Sequence, residues 1–207
     1  MTNIVFAHGW GFDKNLWVDT IETFNISNYY LLDFGYTGTK TIPRIDESSP
    51  IIGIGHSLGF AWLLKNLKKP DCLVSISGFD CFYKIHPRQS IEKMRSNLKK
   101  NLAVQMKVFH KKAGSIFPTS PQYERQALTE GIENLLNWNL SKELESLTVP
   151  IFALASEDDK IVPPGHSKRM FHKFDFTVVK SGNHVIPKNN RPEYFRFINR
   201  VLNEIRL

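Results

Sequence analysis

The pentapeptide Gly55-His56-Ser57-Leu58-Gly59 decides how the chain is read. It follows the apolar run Ile51-Ile52-Gly53-Ile54 and precedes Phe60-Ala61-Trp62-Leu63-Leu64, so a strand-like stretch leads into a helix-like one. Gly-x-Ser-x-Gly at such a junction is the sequence form of a nucleophile elbow. In so tight a turn, side chains two before and two after the serine would collide, which calls for glycine at both places. The serine then sits strained at the tip of a sheet. Its backbone lies at a helix N-terminus, where amides favour developing negative charge.

The parts such a serine needs lie around it in order. Downstream, Val149-Pro150-Ile151-Phe152-Ala153-Leu154-Ala155 reads as a buried strand, followed by Glu157-Asp158-Asp159-Lys160-Ile161-Val162-Pro163. Phe176-Thr177-Val178-Val179 reads as another strand, with Ser181-Gly182-Asn183-His184 in the loop after it. A serine hydroxyl needs a neutral imidazole to take its proton, and a carboxylate to fix the imidazole tautomer. The order Ser57, Asp159, His184 is that of α/β-hydrolases. Spacing to Val162-Pro163 selects Asp159 as the acid over the adjoining Glu157 and Asp158. His8 and His166 compete with His184 but fall where structural roles suit them better. His56 is expected to point into packing beside the elbow rather than into chemistry.

Near the N-terminus, Asn3-Ile4-Val5-Phe6-Ala7 is strand-like and ends in His8-Gly9-Trp10-Gly11. The backbone N–H groups of Trp10 and Leu58 are therefore the expected oxyanion hole. Trp10 is also expected to wall the substrate pocket.

His8-Gly9-Trp10-Gly11-Phe12, the elbow, Asp159-Lys160-Ile161-Val162-Pro163 and Gly182-Asn183-His184 together resemble the α/β-hydrolase superfamily. The His-Gly-Trp-Gly run with Trp17 soon after is more particular, and resembles the pimeloyl-[acyl-carrier protein] methyl ester esterases of biotin synthesis. The resemblance implies hydrolysis of a methyl ester on an acyl chain held by an acyl carrier protein. It covers most of the chain and is weakest between about Asp80 and Leu147. Two departures stand out. Many relatives carry Asp-x-Pro-Gly-x-Gly where this chain has Asp33-Phe34-Gly35-Tyr36-Thr37-Gly38, and the two leading strands of the family are expected to be missing.

The fold class expected is α/β: an α/β-hydrolase fold with a mostly parallel sheet covered by helices on both faces. Strands are predicted at 3–7, 28–33, 51–55, 72–76, 149–155 and 175–179, and helices near 14–24, 58–68, 164–173 and 191–205. One domain spanning 1–207 suits 207 residues of 42% hydrophobic content. A helical cap at about 80–147 interrupts the sheet between the sixth and seventh strands of the family's count. Ile91, Met94, Leu98, Leu102, Met106 and Phe109 recur at three and four, one face of a long helix. Ala127, Leu128, Ile132, Leu135 and Leu136 suggest another. Plain core helices are the competing reading of this segment. Phe79, Phe82 and Tyr83, at its start, are candidates to line an acyl channel.

The start Met1-Thr2-Asn3 lacks the basic, then apolar, pattern of a signal peptide, and no apolar run reaches membrane-spanning length. Cys72 and Cys81 are read as buried or incidental thiols, so a cytoplasmic location is expected. No metal-ligand spacing occurs, and the chemistry calls for no cofactor.

Charge is concentrated in the predicted cap. Between Tyr83 and Lys112 nine basic residues face the single acid Glu92, a net +8 in a chain of net +7, so the remainder is near neutral. Concentrated charge speeds encounter with a partner of opposite sign. Arg88, Arg95, Lys99, Lys100, Lys111 and Lys112 are the candidates to dock an acidic acyl carrier protein, the partner implied by the resemblance. A merely solvated face is the plain alternative, and no recognised motif supports nucleic acid. Fold and triad do not fix the substrate, so a small-ester carboxylesterase, a thioesterase or a carbon–carbon hydrolase stays open. A non-catalytic binding protein on the same scaffold is the remaining alternative.

Overall fold

Six short apolar runs pair side by side in the computed structural model, which describes residues 2–117 and 122–205. They are β1 (Asn3–Ala7), β2 (Tyr29–Leu32), β3 (Ile51–His56), β4 (Cys72–Ile76), β5 (Ile151–Ser156) and β6 (Asp175–Val179). Their order is β2-β1-β3-β4-β5-β6, and every pair is parallel. Strands β3, β4 and β5 are buried along their whole length. Burial on both faces explains why they read as continuous apolar runs instead of alternating ones.

Helices α1 (Val18–Thr23) and α2 (Leu58–Asn66) follow β1 and β3. Four more, α3 (Arg88–Lys100), α4 (Leu102–Ala113), α5 (Arg125–Asn137) and α6 (Ser141–Ser146), lie between β4 and β5. Then come α7 (Pro164–Met170) after β5, and α8 (Ile186–Asn189) and α9 (Arg191–Glu204) after β6. Right-handed crossovers place α2 and α7 on one face of the sheet and α1 on the other. Contacts agree: the Phe60 ring of α2 meets Phe171, just after α7, at 5.6 Å. On the opposite face Thr20 of α1 and Tyr194 of α9 share a 2.8 Å hydrogen bond.

This is the expected α/β-hydrolase fold, with two local differences. The 14–24 segment opens as a 3-10 turn, Lys14–Trp17, with Asp13 accepting from the Asn15 N–H, before α1 begins. The single long helix over Ile91 to Phe109 is two helices. Asn101 is extended (φ −153°, ψ 95°) and its Oδ1 accepts from the Val104 N–H at 3.1 Å, capping α4. An asparagine gains this bond as an N-cap and gains nothing comparable inside a helix. The apolar spacing survives the break, so Ile91, Leu98, Met106 and Phe109 are all still buried.

Winding reverses between β1 and β3, because the chain runs from β1 out to β2 and returns on the other side of β1. A crevice forms outside the carboxyl ends of strands that part in this way. Trp10 leaves the end of β1 and Ser57 the end of β3.

Candidate active site

Ser57 has φ +54° and ψ −122°, outside the regions that residues other than glycine ordinarily occupy. Its flanking glycines are required by contacts of different kinds. A Cβ on Gly55 would lie 2.4 Å from the Phe60 Cα, within the turn itself. A Cβ on Gly59 would lie 2.1 Å from the Ala7 carbonyl oxygen, so the second glycine admits the end of β1 and not the other flank of the turn. The Ser57 N–H donates to the Ile76 carbonyl at 3.0 Å, tying the strained residue to β4.

Three distant segments meet here. His184 Nδ1 lies 2.8 Å from Asp159 Oδ2, and His184 Nε2 lies 2.9 Å from Ser57 Oγ. A carboxylate only accepts, so Nδ1 carries the proton and Nε2 is free to accept from the serine hydroxyl. All three side chains are buried. Asp159 Oδ1 accepts from the N–H groups of Ile161 at 2.7 Å and Val162 at 2.9 Å. Burial opposes ionisation of the Asp159 carboxyl, but the facing His184 and those two amides outweigh it and hold the group below its ordinary value. Asp158 does different work. Its Oδ1 accepts from Ser156 Oγ and from the Asn183 N–H at 2.7 Å, bracing the loop that carries His184.

His56 does more than pack. Its Nε2 lies 2.8 Å from the His184 carbonyl, to which it donates. Burial, reinforced by the neighbouring His184, pushes the His56 pKa down to about 3, so its ring is neutral. The sequence gives no sign of this contact, because it spans 128 positions.

The β1 loop passes directly against the elbow. A Cβ on Gly9 would lie 2.9 Å from the Ser57 Cβ. His8 accepts from the Phe34 N–H at Nε2 (3.1 Å), so its Nδ1 donates to the Gly9 carbonyl at 2.9 Å and orients the peptide that bears the Trp10 N–H. Among the described residues neither the Trp10 nor the Leu58 backbone N–H has a hydrogen-bond partner. Leu58 opens α2, where no intrahelical acceptor exists.

The segment between β4 and β5 reaches each of these loops by a hydrogen bond. The Trp10 indole N–H donates to the Leu128 carbonyl of α5 at 2.9 Å. The His184 N–H donates to the Ala113 carbonyl at the end of α4 at 3.2 Å. His86 Nε2 donates to the Ile161 carbonyl at 2.7 Å, on the turn whose amides hold Asp159. Glycines make the closeness possible. A Cβ on Gly131 would lie 2.4 Å from the Trp10 ring, and one on Gly114 (φ +72°) would lie 2.4 Å from the Asn183 side chain.

A cavity of about 120 Å³ opens at Ser57, lined mainly by apolar side chains: Trp10, Phe82, Ile91, Met94, Phe109 and Leu135 among them. Of the candidates named for substrate binding, Trp10 and Phe82 line it. Phe79 lies behind Phe82, ring to ring at 5.0 Å, and Tyr83 lies beneath the Arg88 guanidinium at 4.0 Å. His86, Ser90, Gln105 and Lys112 also line it and were not singled out as lining residues from sequence. The spacing of Gln105, Val108, Phe109 and Lys112 along one face of α4 was the available signal.

The six basic candidates for docking fall into three groups. Arg88 and Arg95 bind within the insertion, to the Leu136 carbonyl at 2.7 Å and to Glu133 at 2.6 Å. Lys99, Lys100 and Lys111 are exposed, and their ammonium groups have no hydrogen-bond or ion-pair partner among the described residues. Lys112 belongs to the cavity wall. Cys72 and Cys81 are buried free thiols. Among the described residues no group of three or more His, Cys, Asp or Glu could hold a metal ion, and no helix is long and apolar enough to cross a membrane.

No family model matches the sequence, and no curated protein matches it. Solved structures do match by shape. An esterase from Exiguobacterium antarcticum superposes with TM-score 0.82 at 14% identity, over 98% of this chain and 92% of its own. A thermophilic esterase from Thermogutta terrifontis gives 0.79 at 15% identity, over 99% and 90%. A bromoperoxidase from Bacillus anthracis gives 0.76 at 15% identity, over 96% and 92%. At such identities the likeness is one of fold, and the fold it shows is that of the α/β-hydrolases.

Proposed function

We propose that the chain is a serine ester hydrolase that cleaves the methyl ester of an acyl chain carried by an acyl carrier protein. The observation that carries the hydrolase reading is the relay Ser57–His184–Asp159, closed at 2.9 and 2.8 Å with each member fixed by independent contacts. Ser57 Oγ attacks the ester carbonyl carbon as its proton passes to His184 Nε2, and Asp159 stabilises the imidazolium. The Trp10 and Leu58 amides receive the oxyanion; one such donor is typically worth about a hundred- to a thousandfold in turnover. The C–O bond to the alcohol breaks and His184 protonates that oxygen as it leaves. Water then attacks the acyl-enzyme, giving a proton to Nε2, and the carboxylic acid departs as Ser57 regains its own. No cofactor enters any step.

The carrier-bound methyl ester rests on the resemblance in the Trp10 loop and on the exposed lysines of α3 and α4. A cytoplasmic enzyme of biotin synthesis is the corresponding reading. A second reading, a carboxylesterase for small esters, is favoured by the modest cavity volume. Rescue of biotin-free growth in a strain lacking its pimeloyl ester esterase separates the two. Rescue by the unaltered gene but not by Ser57→Ala supports the carrier substrate. Failure to rescue, with hydrolysis of free esters intact, favours the second.

A further inference from the structure

Four side chains of α4 spaced three and four apart, Gln105, Val108, Phe109 and Lys112, line the cavity that holds Ser57. Phe109 stands edge-on to Trp10 at 4.7 Å, close to the site of chemistry. Lys112 lies one turn, roughly 5 Å, further along the helix. It is exposed, and among the described residues its ammonium has neither a hydrogen-bond nor an ion-pair partner. Among the described residues no carboxylate lines this cavity, and Lys112 is its one fully cationic lining residue. His86, which also lines the cavity, is kept toward its neutral form by burial first and by Lys112 among the lesser causes. Its Nε2 is already committed to the Ile161 carbonyl. Gln105 Oε1 accepts from Asn97 Nδ2 at 3.1 Å, which leaves its amide N–H groups without a partner among the described residues. The wall therefore offers hydrocarbon and two unspent donors, the buried Gln105 amide and the exposed, charged Lys112.

We infer that the substrate carries an anionic oxygen group, a carboxylate or a phosphate, several bonds from the scissile ester, and that Lys112 binds it. This rests on the hydrolase reading of Ser57 and narrows it to acidic esters. A neutral ester of the same length fills the apolar part of the cavity but leaves the ammonium unpaired. A carboxylate would belong to the acyl chain itself, whereas a phosphate would belong to the arm that carries it.

Two p-nitrophenyl esters of equal chain length test the idea, because both expel the same leaving group: the neutral valerate and the acidic mono-glutarate. Each is measured with the unaltered protein, Lys112→Met and Lys112→Glu, alone and with 4′-phosphopantetheine as competitor. A charge pair at partly solvated separation supports about a tenfold effect. If the anion is on the acyl chain, the acidic-to-neutral ratio of kcat/KM falls about tenfold in Lys112→Met and further in Lys112→Glu. If it is on the carrying arm, competition by 4′-phosphopantetheine weakens about tenfold in both variants. A ratio and a competition both indifferent to Lys112 overturn the inference while leaving the hydrolase reading in place. Hydrolysis of neither ester by the unaltered protein, together with no fluorophosphonate adduct on Ser57, overturns the hydrolase reading itself.

Discussion

His56 Nε2 donates to the carbonyl oxygen of His184 at 2.8 Å, so the residue beside the nucleophile holds the backbone of its base. On the other side of the same residue, the His184 N–H is held by the Ala113 carbonyl at 3.2 Å. The imidazole is thus aimed by its own peptide as well as by Asp159.

Removing the His56 donor should loosen that aim. His56→Phe should lower kcat about tenfold, the worth of one buried hydrogen bond, with KM little changed. His56→Gln, whose amide can donate across the same gap, should recover most of the loss. Steady-state kinetics on a p-nitrophenyl ester decide it, and equal losses in both variants would reduce His56 to packing.

Gly114 is constrained twice, by φ +72° and by the Asn183 side chain 2.4 Å from where its Cβ would lie. Gly114→Ala should cost about 2–4 kcal/mol, combining left-handed strain with overpacking against the loop of His184. Gly38, which has nothing within 4 Å of its Cβ position, is the control, and Gly38→Ala should be near neutral. Urea unfolding of the two variants reads the difference, which should shrink to the left-handed cost alone, about 1–2 kcal/mol, if the α4 terminus does not bear on that loop.

Acid should destabilise the fold through two buried neutral histidines. Burial pushes the pKa of His110 down to about 4, and His56 is down to about 3. The unfolded chain, with ordinary values near 6.5, then binds more protons than the folded one. Stability is full above about pH 6.5 and falls as pH drops toward those folded values, by about 1.4 kcal/mol per pH unit for each histidine. His110→Gln should remove one histidine's share of that slope between about pH 4.5 and 6. An unchanged slope would contradict it.

Charge reversal at Lys99, Lys100 and Lys111 should lower kcat/KM for a carrier-bound methyl ester far more than for a free ester, by about tenfold or more, and added salt should shrink the difference. Equal effects on both substrates would mean that these lysines only solvate the surface.

What the sequence revealed and what it hid follow from the range of the forces involved. Ser57 was legible because its strain is local, and the glycines that permit it lie two residues away. Asp159 and His184 were legible because each closes a strand whose apolar run is plain. The break at Asn101 was missed because an apolar stripe continues through it, and the only signal was one capping side chain. The cavity wall was harder still. His86, Gln105 and Leu135 reach one space from a loop and two helices whose packing no short-range pattern encodes. His56 is buried in the packing beside the elbow as expected, but its bond to the His184 carbonyl was not legible, since that partner lies across the sheet in another loop.

The most direct measurement is covalent labelling with a fluorophosphonate followed by peptide mapping. The adduct should fall on Ser57, disappear in Ser57→Ala, and form far more slowly in His184→Ala with the fold retained. Undiminished labelling of Ser57→Ala, or an inert Ser57 in the folded unaltered protein, would contradict a nucleophile activated by His184.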